Sequence, residues 1–356
     1  MAEKKTSSAH TVTPSVQRAG PAAQPLAEAL DAALVRAAWQ MMMSANRIAL
    51  LAHEHPDGDA LGSVLGLAHV LRSFGKTCVP VCTDLAPPVY QFLPGLEGLQ
   101  HDLGDEAYDL VIALDAGELT RYGALYERHR TFLDQAAIVN LDHHLTSAGC
   151  GQVNIIDVAS AATAELITLL LIQVGVDISR DAAVCLMTGI VTDTRAFEYS
   201  ATTPRTLEVA AHLMRAGAVP AEIVKPVYRM NPLAKARLWG LVQSAIESAV
   251  DGRLVWSMLT QEMLSAAGAS MGMDDSLPSY LIDIEGAEIA ALFKEHADGY
   301  PRVSLRTVPP YNAALMAAHF GGGGHERAAG LTFRGTLAEA KSEVLAYLEA
   351  QLRAVE

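Results

Sequence analysis

The chain has 356 residues, enough for about two domains each with a core of its own. Half of the residues are hydrophobic (51%) and 19% are charged, the balance of an ordinary soluble globular protein. A net charge of −14 argues against a broad electrostatic grip on long nucleic acid, while leaving room for a small anionic substrate held locally.

Residues 1–25 are polar and rich in Ala, Pro and Ser, which predicts a disordered tail without the apolar core of a secretory signal. Leu26 to Ala45 has helical spacing of apolar residues. From Ile48 to about Asp193, short apolar runs alternate with helix-like stretches. Strands are predicted over Ile48–Ala52, Thr77–Val81, Leu110–Leu114 and Ile138–Leu141, with a helix over Ala60–Phe74 that Gly75 terminates. That order predicts an α/β fold with a doubly wound parallel sheet. The longest apolar run, Ala164 to Val176, is too short to cross a bilayer and contains Glu165, Thr168 and Gln173. No membrane association is expected, and the cytoplasm is the expected location. The four cysteines have neither zinc-type pairing nor a disulfide framework, and Cys78 and Cys82 read as buried thiols. Residues 204–247 read as helical, broken by Pro220, Pro226 and Pro232, and form the candidate connector between a domain over 26–203 and one over 248–356. The second, smaller α/β domain has strands over Leu254–Leu259, Ala287–Lys294 and Val303–Thr307. It also holds the run Gly321-Gly322-Gly323-Gly324-His325 and a last helix over Leu337–Leu352.

The chemistry gathers at strand ends. His53, Asp57 and Asp59 follow the first strand, the edge at which open α/β sheets bind ligands. Two carboxylates so close repel unless a cation lies between them. Asp115 ends the third predicted strand, where it reads equally as a site residue or as the N-cap of the next helix. Asp142-His143-His144 closes the fourth, and Asp193 lies at a further element boundary. Oxygen-rich donors with a minority of imidazoles suit Mn²⁺ or Mg²⁺ better than Zn²⁺. Leaving Asp142 aside, the seven groups exceed one ion's needs and suit two ions about 3.5–4 Å apart, the arrangement that activates water for in-line attack on phosphorus. In the second half, the glycine run could offer backbone N–H groups to a phosphate as a nest, or be a flexible loop. Arg306 alternates on a strand and could present a two-pronged donor, with Lys294 and Arg327 weaker candidates.

Together these motifs closely resemble those of the DHH phosphoesterase family. His53-x3-Asp57-x-Asp59, Asp115, Asp142-His143-His144 and Asp193 match its four N-terminal motifs in order, and Gly321–His325 with Ala328-Ala329-Gly330 matches its DHH-associated C-terminal domain. The resemblance spans roughly residues 45–335 and is nearest to the nanoRNase type, which acts as oligoribonuclease and as phosphatase of 3′-phosphoadenosine 5′-phosphate (pAp). It implies two Mn²⁺ ions, with Mg²⁺ as the other option. His53, Asp57 and Asp115 would hold one; Asp59, Asp115, His143 and Asp193 would hold the other. It further implies that His144 faces the scissile phosphate, that Asp142 orients a histidine, and that Arg121, Arg306, Gly322, Gly323, Gly324 and His325 contact substrate in a cleft between the domains. Short RNA oligonucleotides, pAp or dinucleotides are the implied substrates, and a homodimer the implied assembly. Cyclic or linear dinucleotide hydrolysis is the competing activity. A nucleotide sensor without catalysis is the competing class, and it would predict a missing ligand where none is missing. Two positions depart from the family pattern: Glu118 stands where an aspartate is common, and Arg195 where a small residue is common.

Overall fold

A computed structural model describes residues 25–274 and 276–354, so the expected tail lies outside the described residues except for Pro25. The chain divides into two compact units, with the boundary between Met230 and Asn231.

In the first unit, strands β1 (Arg47–Leu51), β2 (Thr77–Val81), β3 (Leu110–Leu114), β4 (Ile138–Asp142) and β5 (Val153–Ile156) form one sheet in the order β2-β1-β3-β4-β5. All neighbours are parallel. Only β5 was not anticipated, because three of its four residues are half-buried and Asn154 interrupts its apolar run. Helices α1 (Ala32–Ser44), α2 (Gly58–Ser73), α4 (Thr163–Gln173) and α5 (Arg180–Asp193) cover one face, while α3 (Ala124–Leu133) lies on the other. Alternation along the strands separates the faces. Ile48, Leu50, Ile112 and Leu114 enter the larger core, and Ala49, Leu51, Val111 and Ala113 meet Tyr122 and Leu125. The sheet is thus doubly wound, as the strand and helix order requires. Its order reverses between β1 and β3, and Leu51 pairs with Ala113 at that point. A crevice at the carboxyl ends of strands belongs at this switch point.

Helix α2 starts at Gly58, two residues earlier than the apolar spacing indicates. Asp57 caps it, accepting from the N–H groups of Asp59 and Ala60. Asp59 therefore rides the first helical turn rather than a loop. Gly75, at a φ of 76°, ends the element as expected. The contact between α2 and α5 is close because one edge of α2 is bare. A Cβ on Gly62 would come 2.4 Å from the Cys185 carbonyl oxygen, and one on Gly66 would strike Leu186. Opposite them, a Cβ on Gly189 would meet Asp59 Oδ1 at 2.4 Å. These glycines let the helix that carries Asp59 lie against the helix that ends in Asp193.

The predicted connector falls on both units. Helices α6 (Pro204–Arg215) and α7 (Pro220–Val224) pack on α5, whereas α8 (Leu233–Ser244) packs on elements of the second unit. Pro220 opens α7, Pro226 lies in a π turn over Lys225–Arg229, and Pro232 caps α8.

The second unit has a six-stranded sheet in the order β10-β11-β9-β8-β7-β6, built from β6 (Glu247–Ala249), β7 (Leu254–Leu259), β8 (Ile289–Lys294), β9 (Arg302–Thr307), β10 (Gly323–Gly324) and β11 (Ala328–Thr332). Only β7 and β8 pair in parallel among the described strands of this sheet. Helices α11 (Ala313–His319) and α12 (Leu337–Arg353) cover one face; α8, α9 (Gln261–Ala267) and α10 (Leu277–Ile282) cover part of the other. No described helix is long and apolar enough to cross a membrane.

Gly62→Ala tests the α2–α5 contact. The methyl raises intrinsic helix propensity by about 1 kcal/mol, but it collides with a backbone carbonyl that cannot rotate away, and overpacking of that kind costs about 1–3 kcal/mol. The expected result is a lower Tm in thermal unfolding; an unchanged or raised Tm would mean the two helices have room to separate.

Candidate metal centre

Each acid of the first half sits where its element ends. Asp57 and Asp59 open α2, Asp115 follows β3, Asp142 closes β4, and Asp193 is the last residue of α5. Asp115 is not a helix cap. Its φ of 59° places it in the left-handed region, which aspartate tolerates better than most residues, and the next helical turn is preceded by Glu118. That backbone places its carboxylate between His53, which follows β1, and His143, which follows β4.

The side chains converge around Asp115. Its Oδ2 lies 3.4 Å from His53 Nε2, and its Oδ1 lies 3.6 Å from His143 Nε2. The two oxygens of one carboxylate thus face two different imidazoles. His53 Nε2 is also 3.9 Å from Asp57 Oδ1. His143 Nε2 is 3.9 Å from Asp59 Oδ2 and 3.4 Å from Asp193 Oδ2. Donor atoms of His53, Asp57 and Asp115 lie within 4.8 Å of one another, as do those of Asp59, His143 and Asp193 and those of Asp115, His143 and His144.

Backbone carbonyls select the tautomers. His53 Nδ1 is 2.7 Å from the Glu54 carbonyl and His143 Nδ1 is 3.3 Å from the Ser160 carbonyl. A carbonyl can only accept, so both rings carry their proton on Nδ1 and present the Nε2 lone pair to the carboxylates. His144 is turned the other way, with its Nδ1 2.7 Å from the buried Asp142 Oδ1. Burial pushes the Asp142 carboxyl up, but the hydrogen bonds and charge of His144 oppose it, and the group is held below its usual value. The same bond to Asp142 raises His144 above its ordinary range.

Helix α4 closes the site from beneath. The Thr163 and Ala164 N–H groups donate to Asp59 Oδ2 and Oδ1 at 2.6 and 2.9 Å, and Thr163 Oγ1 donates to Asp115 Oδ1 at 2.9 Å. A helix N-terminus favours negative charge. It does not suffice here. Burial first, and neighbouring carboxylates second, hold Asp115 far above its ordinary value and push Asp193 up to about 10. Asp59 is raised by burial, against the pull of His143. The ion-pair partners of these carboxylates among the described residues are histidines. Such a set is stable as anions only with added positive charge. Four carboxylates with imidazoles and no thiolate fit two Mn²⁺ ions, with Mg²⁺ an alternative of the same hardness.

Several contributors escaped the sequence reading. Ser160 lies in a small-residue loop and Thr163 opens α4, neither with a motif of its own. Tyr228 donates to the carbonyls of Val191 (3.2 Å) and Thr192 (3.3 Å), pinning the turn that carries Asp193. No local spacing could reveal either link, since the partners are far apart in sequence. Arg195 pairs with Glu198 at 3.3 Å. Glu118 and Arg121 are exposed, and the Arg121 carbonyl accepts from the Glu54 N–H.

The second unit corrects the nest reading of the glycine run. The N–H groups of Gly321, Gly322 and His325 donate to the carbonyls of Ala318, Ala317 and Ala328, and Gly323–Gly324 pair with β11 as an edge strand. Gly322 and Gly324 are bare because a Cβ would strike Gly330 O and Ala328 O. Gly323 alone of the three has open space around it. His325 is exposed at the hairpin turn, and Arg306 stands on β9 opposite Ala328 with Nη1 2.9 Å from the Leu305 carbonyl.

A buried carboxylate–histidine cluster at the switch point of a doubly wound sheet, in a donor set for two hard cations, defines a metal-dependent hydrolase of phosphoester bonds. Residues 47–190 match the DHH family, N-terminal domain, and residues 256–354 match the DHHA1 domain. The chain is 32% identical over 293 residues to the bifunctional oligoribonuclease and PAP phosphatase NrnA of Thermus thermophilus, covering 81% of this chain and 84% of that one. It is 28% identical to a probable bifunctional oligoribonuclease and PAP phosphatase NrnA of Streptococcus mutans, over 79% of this chain and 88% of that one. An exopolyphosphatase-related protein from Bacteroides fragilis has the same fold, with a TM-score of 0.80 at 25% identity over 92% of this chain and 99% of that one. The chain belongs to the DHH family of phosphoesterases, among its NrnA-like members.

The raised carboxyl groups set a pH dependence. Asp59, Asp115 and Asp193 bind protons in the metal-free fold that the unfolded chain has released above about pH 4, so their contribution to stability is present at low pH and lost as pH rises through the folded values. In EDTA, Tm is expected to fall between about pH 5 and pH 9, and excess Mn²⁺ is expected to remove that slope. A metal-free Tm that rises over this interval would contradict the crowding of the three groups.

Proposed function

We propose that this protein degrades short oligoribonucleotides exonucleolytically to mononucleotides and dephosphorylates pAp to AMP. The observation that carries the proposal is the similarity, over most of both chains, to a protein named for that pair of activities, with every candidate ligand of the motifs gathered at one switch point. In this reading His53, Asp57 and Asp115 hold one ion, and Asp59, Asp115, His143 and Asp193 hold the other. Two such ions supply a nucleophile from water at neutral pH and offset charge building on the phosphoryl oxygens. The chain's own groups do the rest. Asp142 accepts from His144 Nδ1 and favours the protonated ring, whose Nε2–H can then donate to a phosphoryl oxygen. Asp115 keeps a rigid, left-handed backbone between the two sets of donors. Arg306 and His325 of the second unit grip terminal phosphate, and the bare Gly323 gives a nucleotide close approach to the edge strand. Arg121 is assigned a weaker, exposed contact.

The test is product analysis with Mn²⁺ on an end-labelled series of two- to twenty-nucleotide RNAs, with pAp and cyclic and linear dinucleotides alongside. Mononucleotides from the shortest RNAs and AMP from pAp are expected, with turnover falling as the RNA lengthens. Asp115→Asn should lower both activities by more than the roughly 10–100-fold typical of losing a residue behind a metal ligand, with little change in folding. Cleavage of cyclic dinucleotides alone would favour the competing dinucleotide phosphodiesterase, and intact short RNA and pAp would overturn the proposal.

A further inference from the structure

We propose that Arg205 is a positioning residue of the metal centre, acting through Ser160 on His143. This inference rests on the two-ion reading of the cluster but not on the choice of substrate. Arg205 lies far outside the motifs, in the first turn of α6, where Pro204 and the Thr203–Thr206 capping box fix the start of the helix. Its guanidinium reaches back to the loop between β5 and α4. Nε donates to Glu165 Oε1 at 2.9 Å, and Nη2 donates to Asp157 Oδ2 at 2.7 Å and to Ser160 Oγ at 3.1 Å. Glu165 is fully buried, and its second oxygen accepts from the Ala161 N–H at 3.0 Å. Ser160 Oγ donates in turn to Asp157 Oδ2 at 2.7 Å, and the Asp157 N–H donates to the Asp142 carbonyl at 3.0 Å.

The network therefore grips the loop on both sides of Ser160 and ties it to the end of β4. The carbonyl of Ser160 is the acceptor that keeps the His143 proton on Nδ1. His143 Nε2 faces Asp59, Asp115 and Asp193, so a shift of that carbonyl would release the ring that serves the second set of donors. His53 takes its orientation from Glu54 instead and lies outside this network. A lysine would keep the charge of Arg205 but cannot span three acceptors with a planar fork.

Manganese titration of the metal-free full chain, followed calorimetrically, tests the proposal, with Tm and circular dichroism measured in parallel. In a His53→Ala background, which isolates the His143 side, Arg205→Met should weaken Mn²⁺ binding by about 10–100-fold, with Arg205→Lys in between. On an otherwise unaltered chain, one of the two binding steps should weaken while the other is retained. Nitrogen NMR of the metal-free Arg205→Met protein should show His143 populating the Nε2–H tautomer. A folded Arg205→Met protein with the parent isotherm and the parent His143 tautomer would overturn the proposal. Should that variant fail to fold, Asp157→Asn loosens one arm while keeping the Glu165 pair. A smaller weakening of the same step is then expected, and an unchanged isotherm overturns the proposal. None of these readouts involves substrate, so their failure is separable from failure of the proposed activity.

Discussion

Mutual repulsion among buried carboxylates is the constraint around which the first unit is organised. Asp59 and Asp115 are almost without solvent, and Asp57 and Asp193 stand beside them. Folding alone cannot satisfy this set as anions. The N-terminus of α4 offers Asp59 two N–H donors, and Thr163 gives Asp115 a third hydrogen bond, yet burial still drives the carboxyl groups toward protonation. A fold that concentrates negative charge in its core and, among its described residues, pairs it with no cation other than imidazole is a fold completed by metal ions.

Rigidity follows from how the donors are mounted. None depends on a long flexible side chain on a free loop. Asp59 and Asp193 sit on helices brought together by a glycine stripe, Asp115 on a left-handed residue whose N–H is tied to Leu141, and His53 and His143 against backbone carbonyls. Donors mounted this way leave the chemistry little reorganisation to perform. His144 differs from its neighbour by one position and by partner. A carboxylate rather than a carbonyl holds its ring, which raises its basicity above the ordinary imidazole range.

Much of this was legible in the sequence because it is local. The apolar runs at β1, β2, β3 and β4 gave their strands almost to the residue, and acids or histidines just past β1 and β3 and at the end of β4 gave most of the candidate site. The order of the motifs gave the family. What stayed hidden was whatever depends on residues distant in the chain. Thr163 meets Asp59 and Asp115 across 104 and 48 positions, and Arg205 meets Asp157 across 48. The short edge strand β5 lacks the burial that makes a strand visible. The glycine run reads as a nest or as a flexible loop, and neither reading shows the edge strand, because bare residues look alike in sequence whether room is needed for a ligand or for a neighbouring strand. Only the register of β10 against β11 separates Gly322 and Gly324 from Gly323.

The most direct test of the central claim is anomalous diffraction at the manganese edge from crystals of the unaltered protein grown with Mn²⁺. Two peaks are expected on opposite sides of Asp115, about 3.5–4 Å apart, one beside His53 and Asp57 and the other beside Asp59, His143 and Asp193. A single peak, or density elsewhere with the carboxylates still bonded only to protein groups, would contradict it.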